Sequence, residues 1–337
     1  MQSRLPQVAL AMIPDLPDRL FTPSQWSRLR ELADLGDGRV LTEFTSPAAR
    51  ARLAEIEVLI TGWGSPAVDE EALAAAPGLR AVLHSAGTVK GHLSPACWDR
   101  GVKVSTAAQA NAQPVAEYTL AMILLTLKGV PAAMSTFREE RRRVDLLRRF
   151  PAVGNHGRRV GLVGASRIGR LVAEALRPFD LEVVIADPYL APEDAAALGA
   201  VALPLDELLA TSDIVSLHAP SIAETRHMLD ASRLALMRDG AVLLNTARGA
   251  LIDHAALEPE LVSGRLTAVL DVTEPEPPAA DSPLWSLENV WLTPHLAGAQ
   301  GTELHRLADV VLEELAHHVA GEPLAHPVHA EELGRIA

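Results

Sequence analysis

The stretch that decides the fold is Gly161-Leu-Val-Gly164-Ala-Ser166-Arg167-Ile168-Gly169. It continues an apolar run that starts at Val160, and it opens a helical pattern that extends through Val172 and Leu176. A strand, a glycine-rich turn and a helix in this order form the context that a dinucleotide fingerprint requires. In that fingerprint the first glycine makes the tight turn, the second admits the pyrophosphate, and the third lets the helix pack on the strand. Ser166 stands where the second glycine is expected, a departure that is tolerable because serine is small and its hydroxyl could donate to a phosphate.

Asp187 ends the next predicted strand, at about the 20-residue offset expected for the carboxylate that binds the ribose hydroxyls. A carboxylate here repels the additional phosphate of NADP, and Pro188 and Tyr189 follow it in place of an arginine. The predicted cofactor is therefore NAD. The alternative is that Asp187 is a turn residue ahead of a proline.

Two series of short β-rich runs alternate with helix-length segments, which predicts βαβ units on parallel sheets. The predicted fold class is α/β with two doubly wound parallel sheets. The predicted strands are Val8–Ala11, Val40–Phe44, Val58–Thr61, Ala81–His84, Val102–Ser105, Val160–Val163, Glu182–Ala186, Ile214–Leu217, Ala241–Asn245, Ala268–Leu270 and Val290–Leu292. The main helical patterns are Ser24–Leu35, Asp69–Ala75, one long pattern from Val115 to about Phe150, and Thr302–Val319.

Composition narrows the function classes. A length of 337 residues suits two domains, and 48% hydrophobic with 22% charged residues is typical of a globular chain. The net charge of −13 would repel a phosphate backbone, so nucleic acid is not an expected partner. The basic run Arg138–Arg149 is interpreted as a solvated helix face. Four histidines near the end of the chain lack coherent ligand spacing, and no metal site is predicted (His317, His318, His326 and His329).

Compartment and membrane association can also be argued from the sequence. The lone Cys97 suits a reducing compartment and is interpreted as a packing residue. Met1–Ala11 lacks the small-residue cleavage site of a signal peptide and is interpreted as a first strand, so a cytoplasmic location is expected. The apolar stretch Tyr118–Leu127 is about half the length needed to cross a bilayer, which predicts a buried helix and no membrane association.

Three later segments each place a reactive side chain at the end of a predicted strand. They are Asn245-Thr246-Ala247-Arg248-Gly249, Leu270-Asp271-Val-Thr-Glu-Pro-Glu276-Pro277 and Leu292-Thr-Pro-His295-Leu-Ala-Gly298. Ligands of open α/β sheets bind outside these carboxyl ends. Each segment alone has a simpler explanation, namely a surface arginine, a solvated acidic loop or a helix-capping histidine. Their joint occurrence after a nucleotide fingerprint favours an enzyme site.

With these motifs the chain resembles the D-isomer-specific 2-hydroxyacid dehydrogenases over nearly its whole length. It looks like phosphoglycerate dehydrogenases and glyoxylate/hydroxypyruvate reductases, without the regulatory domain appended to the long members. The resemblance implies that Arg248, Glu276 and His295 are catalytic. It also implies two further groups of site residues. The cofactor group comprises Gly164, Ser166, Arg167, Ile168, Gly169, Asp187, His218, Ala219, Pro220, Thr225, Thr246, Ala247, Asp271, His295, Gly298 and Thr88, and the substrate group comprises Trp63, Ala86, Gly87, Thr88 and Arg248.

The chemistry of the family fits these residue types. Arg248 can hold the carboxylate of a small 2-hydroxy or 2-keto acid and polarise its carbonyl, because the planar guanidinium pairs with both oxygens. His295 suits an acid/base role, and Glu276 is expected to orient its ring and stabilise the imidazolium. The backbone amides of Ala86–Thr88 would hold the substrate carboxylate. Trp63 is interpreted either as a wall of the substrate pocket or as packing.

By resemblance, residues 113–298 form a Rossmann NAD-binding domain, and residues 1–112 with 299–337 form a flavodoxin-like, discontinuous substrate domain. A homodimer through the cofactor domains is also expected. Two alternatives remain open. One is an NAD(H)-sensing protein without enzymatic activity, because the family includes corepressors that bind NAD. The other is a formate or phosphite dehydrogenase on the same scaffold.

Overall fold

A computed structural model describes residues 4–333, which divide into two compact units. Residues 4–111 with 299–333 form the first unit, and residues 112–298 form the second. The ends of the predicted discontinuous domain, residues 1–3 and 334–337, lie outside the described residues. The helices are α1 (Leu16–Leu20), α2 (Pro23–Leu32), α3 (Pro47–Leu53), α4 (Glu70–Ala75), α5 (Ala96–Asp99), α6 (Ala108–Leu127), α7 (Val130–Glu140), α8 (Leu146–Arg149), α9 (Arg167–Leu176), α10 (Pro192–Ala197), α11 (Leu205–Thr211), α12 (Ala231–Leu236), α13 (His254–Val262) and α14 (Leu304–Ala320).

The first unit is built on a parallel five-stranded sheet. Its strands are β1 (Val8–Ala11), β2 (Val40–Leu41), β3 (Val58–Thr61), β4 (Ala81–His84) and β5 (Lys103–Thr106). Their spatial order is β2-β1-β3-β4-β5, the flavodoxin-like order. Strands β1, β3 and β4 are buried along their whole length, because one apolar cluster covers each face of the sheet. Helix α14 lies in the cluster on one face, so the end of the described chain packs on the first sheet.

The second unit carries a parallel seven-stranded sheet. Its strands are β6 (Arg158–Val163), β7 (Leu181–Ala186), β8 (Val201–Ala202), β9 (Ile214–Leu217), β10 (Val242–Asn245), β11 (Thr267–Leu270) and β12 (Val290–Leu292). Their spatial order is β12-β11-β10-β9-β6-β7-β8. The chain adds β7 and β8 on one side of β6, and then returns to add β9 to β12 on the other side. Starting from β6, this is the doubly wound order of a Rossmann fold with one additional edge strand. The predicted α/β class with two parallel sheets is confirmed.

The long predicted helix from Val115 to Phe150 is wrong as a single element. Helix α6 begins earlier, at Ala108, and encloses Pro114. Gly129 and Arg141 adopt left-handed backbone conformations at the ends of α7 and interrupt the helical path. The basic run Arg138–Arg149 is exposed except at the half-buried Val144, but residues 141–145 are not helical, so the predicted helix face is interrupted. Among the described residues no single helix is long and apolar enough to span a membrane. Helices α6 and α7 together have that length and composition, but their axes are bent by 56° at the break between them.

Candidate active site

The three predicted catalytic residues follow neighbouring strands of the second sheet. Arg248 follows β10, Glu276 follows β11 and His295 follows β12. These strands are adjacent and parallel, with β11 between the other two. Their carboxyl ends therefore lie at one edge of the sheet, where open α/β sheets bind ligands.

His295 and Glu276 form a hydrogen-bonded pair. The Nδ1 atom of His295 lies 2.8 Å from Oε1 of Glu276. An ionised carboxylate only accepts hydrogen bonds, so Nδ1 carries the proton and donates it. The other ring nitrogen, Nε2, is thereby left as the atom that can exchange a proton. The side chains are 50% and 43% exposed, respectively, so solvent can reach the pair in this structure.

The backbone at His295 is held in an unusual conformation. Its φ angle is +52°, in the left-handed region that non-glycine residues seldom adopt. The buried Asp271 clamps both sides of it. The Asp271 carbonyl accepts from the His295 amide at 3.0 Å, and its carboxylate accepts from the amides of Leu296 at 2.8 Å and Ala297 at 3.0 Å. Asp271 therefore fixes the direction in which the imidazole leaves the chain.

A chain of hydroxyl groups extends this clamp. Thr293 donates to the Asp271 carboxylate at 2.6 Å, and the Tyr118 hydroxyl lies 2.9 Å from the Thr293 hydroxyl. Because the Thr293 proton is already given to Asp271, the Tyr118 hydroxyl must be the donor. Burial is the main cause that raises the pKa of Tyr118. Sequence reasoning missed Tyr118 and Thr293. The available signal was a hydroxyl-bearing Tyr118 at the start of an otherwise apolar stretch.

Arg248 is half-buried on a turn shaped by Asn245. The Asn245 side chain donates to the Arg248 carbonyl at 2.8 Å and accepts from the Ala247 amide at 3.0 Å. One Arg248 guanidinium nitrogen donates to the Ala247 carbonyl at 2.6 Å, which leaves four of its five N–H groups for other partners. Burial lowers the pKa of Arg248, and the nearby Glu276 charge opposes that shift. The guanidinium is thus a partly desolvated cation beside the acid/base pair.

Gly249 brings the Arg248 turn against the loop that carries Glu276. A Cβ atom at Gly249 would lie 2.1 Å from the backbone carbonyl of Thr273 and 2.6 Å from the Glu274 amide nitrogen. Only glycine fits at this separation, because these neighbours are backbone atoms that cannot rotate away. The loops that carry Arg248 and Glu276 are therefore packed backbone to backbone.

The predicted nucleotide turn has the geometry of a phosphate cradle. Gly164 has a φ angle of +101°, and a Cβ there would lie 2.7 Å from the Ala219 amide nitrogen. A Cβ at Gly169 would lie 2.2 Å from the Gly164 carbonyl oxygen, so the third glycine lets α9 start close to the strand. Both positions require glycine, as the fingerprint predicts. The residues therefore fit a dinucleotide bound at the start of α9.

Ser166 has a structural task that explains its presence. It is the N-cap of α9, and its Oγ accepts from the Gly169 amide at 3.3 Å. The hydroxyl proton remains able to donate to an anion. Arg167 is exposed and Ile168 half-buried in the first turn of the helix, at the mouth of the cradle.

Asp187 lies at the carboxyl end of β7, half-buried. One carboxylate oxygen accepts from the Ala165 amide in the nucleotide turn at 2.7 Å, and the other accepts from the Tyr189 amide at 2.8 Å. Both explanations offered by the sequence thus have support, since Asp187 forms a turn and also contacts the fingerprint. Each carboxylate oxygen keeps a lone pair for a further donor.

The segment after β9 lies beside the cradle. His218 is buried, with Nε2 2.9 Å from the Ser216 hydroxyl, and its Nδ1 has no partner among residues 4–333. Burial lowers the pKa of His218 to about 3, so the ring is neutral. Ala219 is buried beside Gly164, and Pro220 follows it. Thr225 closes this loop by donating to the Pro220 carbonyl at 2.6 Å.

Three other predicted cofactor residues follow β10 and β12, two of the three strands that carry the catalytic groups. Thr246 is buried, and its hydroxyl lies 3.1 Å from the Thr119 hydroxyl on α6. Ala247 precedes Arg248, and Gly298 follows the His295 loop, and both are half-buried. The predicted cofactor residues of the second unit therefore line the carboxyl edge of its sheet.

The predicted substrate residues Trp63, Ala86, Gly87 and Thr88 belong to the first unit. Trp63 follows β3 and is 40% exposed. The other three follow β4, with Ala86 buried and Gly87 and Thr88 half-buried. Within the described ranges, no group of three or more His, Cys, Asp or Glu side chains is arranged to hold a metal ion.

Comparison with known proteins identifies the family. Residues 120–297 match the family model described as D-isomer specific 2-hydroxyacid dehydrogenase, NAD binding domain. D-3-phosphoglycerate dehydrogenase from Mycobacterium tuberculosis is 38% identical over 256 residues, 76% of this chain and 48% of that protein. Glyoxylate reductase from Korarchaeum cryptofilum is 33% identical over 276 residues, 80% of this chain and 82% of that protein. The chain thus spans about half the length of this phosphoglycerate dehydrogenase.

A solved structure agrees with these sequence matches. D-lactate dehydrogenase from Aquifex aeolicus, complexed with NAD and lactic acid, superposes with a TM-score of 0.73 at 27% identity. The superposition covers 94% of this chain and 96% of that one. The chain belongs to the D-isomer specific 2-hydroxyacid dehydrogenase family, and its second unit contains the family's NAD-binding domain.

Proposed function

We propose that this protein transfers a hydride between NAD and the C2 carbon of a small D-2-hydroxy or 2-keto acid. The observation that carries the proposal is the His295–Glu276 pair, with Nδ1 and Oε1 2.8 Å apart. Glu276 lies on the loop after β11, and Gly249 packs the Arg248 turn against that loop. The reduction of a keto acid requires a cation and an oriented acid/base group close together. Arg248 and His295 supply these groups at the carboxyl edge of the sheet. The relatives named above act on acids of this class by their descriptions.

Arg248 binds the substrate carboxylate and polarises the C2 carbonyl in this proposal. Its four remaining N–H groups can pair with two oxygen atoms at once, and partial desolvation strengthens those bonds. The His295 Nε2 atom donates a proton to the carbonyl oxygen during reduction and accepts it during oxidation. Glu276 holds Nδ1 and stabilises the imidazolium by its charge. When bound, the nicotinamide supplies or accepts the hydride.

The cofactor residues divide by the part of NAD that each would hold. The Gly164–Gly169 turn and the N-terminus of α9 would hold the pyrophosphate, with the Ser166 hydroxyl as an additional donor. Asp187 would accept from the ribose hydroxyls, and its negative charge would repel the extra phosphate of NADP. The loop from His218 to Thr225, with Thr246, Ala247, Asp271 and Gly298, would line the nicotinamide half. The second unit is then the cofactor domain.

The first unit would be the substrate domain, with the amides of Ala86–Thr88 binding the carboxylate. Glycine at position 87 lets an anion approach the backbone closely. Trp63 is proposed to limit the size of the substrate side chain. We expect Trp63→Ala to extend activity to larger keto acids, and an unchanged substrate profile would contradict that role.

The test is absorbance at the NADH band while the protein is offered glyoxylate, pyruvate, hydroxypyruvate, phenylpyruvate and 2-oxoglutarate. We expect turnover of at least one acid, and its loss in Arg248→Ala and His295→Ala. Matched controls remove the same side chains elsewhere in the second unit. Arg233 pairs with Asp206, and His156 pairs with Asp180. Arg233→Ala and His156→Ala are expected to retain wild-type turnover.

Two properties of the whole protein complete the proposal. We propose a homodimer, supported by the apolar α6, of which Leu125 is 39% exposed. Light scattering that gives a monomer would contradict it. A cytoplasmic location is proposed from the single Cys97, and cell fractionation tests it.

Tight NADH binding without reduction of any acid, and without oxidation of formate or phosphite, would favour the sensor alternative.

A further inference from the structure

Three polar residues are buried together at the ends of β3 and β4 in the first unit. Thr61 and His84 are register partners in the sheet, and Ser85 follows His84. The exposed fractions are 0% for Thr61, 5% for His84 and 0% for Ser85. A buried polar group without a partner is costly, so a cluster at this place needs an explanation beyond packing.

Hydrogen bonds satisfy this cluster. The Thr61 hydroxyl lies 2.8 Å from Nδ1 of His84. The Thr61 carbonyl accepts from the Ser85 amide at 2.8 Å and from the Ser85 hydroxyl at 2.9 Å. Three bonds therefore join the end of β3 to the last residue of β4 and to the residue that follows it. They also fix the spacing of the loops that follow, because Trp63 lies two residues beyond Thr61 and Ala86 two residues beyond His84.

His84 is the last residue of β4, the strand that leads into the loop proposed to bind the substrate carboxylate. Burial, with a smaller contribution from the neighbouring His92, lowers the pKa of His84 to about 3. The Thr88 backbone opposes this shift only in part. The His84 ring is therefore neutral, and a neutral imidazole has one donor and one acceptor. Thr61 is the partner of Nδ1, so the ring joins the last residue of β4 to the end of β3, two residues before Ala86.

Two neighbouring features limit how far this arrangement can shift. The rings of His84 and His92 are in contact, with centroids 4.5 Å apart, so His92 supports the imidazole from the side. A Cβ atom on Gly62 would lie 2.9 Å from the Ser85 hydroxyl oxygen, so the two strand ends approach closely. The loop after β4 is thus held from its buried side by Thr61, His84 and Ser85, which are almost fully buried.

We propose that Thr61 and His84 are positioning residues for the substrate carboxylate, acting through the backbone of Ala86–Thr88. The inference rests on the proposed function of that loop. Neither residue touches substrate in this account. They fix the amide groups that do, and the amides must already point toward the anion if binding is to cost little reorganisation.

The test compares Thr61→Val, which keeps the shape but removes the hydroxyl, with Thr61→Ser, which keeps the hydroxyl. We expect Thr61→Val to raise KM for the best keto acid about tenfold, with kcat and KM for NADH within about twofold of wild type. One lost hydrogen bond to a neutral group accounts for a change of this order. Thr61→Ser is expected to stay near the wild-type KM.

His84 provides a second pair of variants. His84→Leu should raise KM for the acid in the same way, and His84→Gln should restore it in part because the amide offers both a donor and an acceptor. Thermal unfolding identifies variants that fail to fold. If one pair contains such a variant, the KM values of the other pair test the inference. The inference is overturned if folded Thr61→Val and His84→Leu keep the wild-type KM, or if kcat and both KM values change together.

Failure of the proposed function gives a different result. In that case the wild-type protein reduces none of the acids, and calorimetry with oxalate in the presence of NADH replaces the kinetic measurement. Oxalate is a planar dicarboxylate that offers the same anionic group as a 2-keto acid. Oxalate binding that is weakened about tenfold by Thr61→Val and kept by Thr61→Ser would support the positioning role. Equal binding, or equal absence of binding, in all forms would overturn it.

Discussion

Adding one methyl group at Gly249 should disable the proposed enzyme while leaving it folded. A Cβ at this position would lie 2.1 Å from the Thr273 carbonyl group and 2.6 Å from the Glu274 amide nitrogen. An ordinary van der Waals contact starts at 3.4 Å, so one backbone segment has to move by roughly 1.3 Å. The Arg248 turn and the Glu276 loop are the two segments that can move.

The size of the effect follows from that displacement. A misplacement of about 1 Å in a catalytic arrangement can cost about 100-fold in rate. We therefore expect Gly249→Ala to lower kcat/KM for the keto acid about 100-fold. The affinity for NADH should change much less, because the fingerprint at Gly164–Gly169 lies on a different strand end. NADH oxidation gives kcat/KM, and quenching of intrinsic fluorescence gives the affinity for NADH.

A control separates geometry from general destabilisation. Gly240 has a φ angle of +78° and open space around its Cβ position, so Gly240→Ala introduces backbone strain without a clash. That variant should lose about 1 kcal/mol of stability and keep its kcat/KM. The reasoning is refuted if folded Gly249→Ala keeps wild-type kcat/KM, or if Gly240→Ala loses as much activity.

Three other expectations concern the cofactor site. Asp187→Ala should shift the ratio of kcat/KM with NADPH to that with NADH at least about tenfold toward NADPH, because the repelling carboxylate is gone; the exposed Asp194→Ala is the control. Ser166→Ala should lower the free energy of unfolding by about 1 kcal/mol in urea titrations through loss of the α9 N-cap, whereas Ser166→Gly should cost only a few tenths. His218 has a folded pKa of about 3 against 6.5 unfolded, so the unfolded chain binds more protons between these values and stability falls as the pH falls below 6.5. At pH 5 this amounts to roughly 2 kcal/mol, so His218→Gln should lose that much less free energy of unfolding between pH 7 and pH 5. An equal loss in variant and wild type would contradict the assignment.

Most strands could be predicted because each is a short apolar run bounded by turn residues. Helix α6 could not be bounded in the same way. The predicted pattern started at Val115, but α6 begins at Ala108 and encloses Pro114. The short β8 was missed because two residues, Val201 and Ala202, carry no periodicity. Local signals therefore located the sheet positions but not every element end.

In the candidate site, too, some residues could be predicted from local sequence and others could not. His295, Glu276 and Arg248 could be found because each belongs to a motif at a strand end. The Asp271 clamp on the left-handed His295 could not, since its bonds join residues 25 and 26 positions apart. The Thr61–His84 pair depends on the register between two strands, which no local pattern encodes. Residues that act by holding others were therefore recognisable only in the folded chain.

Isotope transfer tests the central claim most directly. The protein is incubated with a 2-keto acid and NADH deuterated at the transferable C4 position, and the product acid is analysed by mass spectrometry and by chiral chromatography. The account predicts one deuterium at C2 of a D-2-hydroxy acid, and its absence with His295→Ala. A wild-type protein that binds NADH but delivers no deuterium to any of the five acids, or that yields the L-isomer, would contradict it.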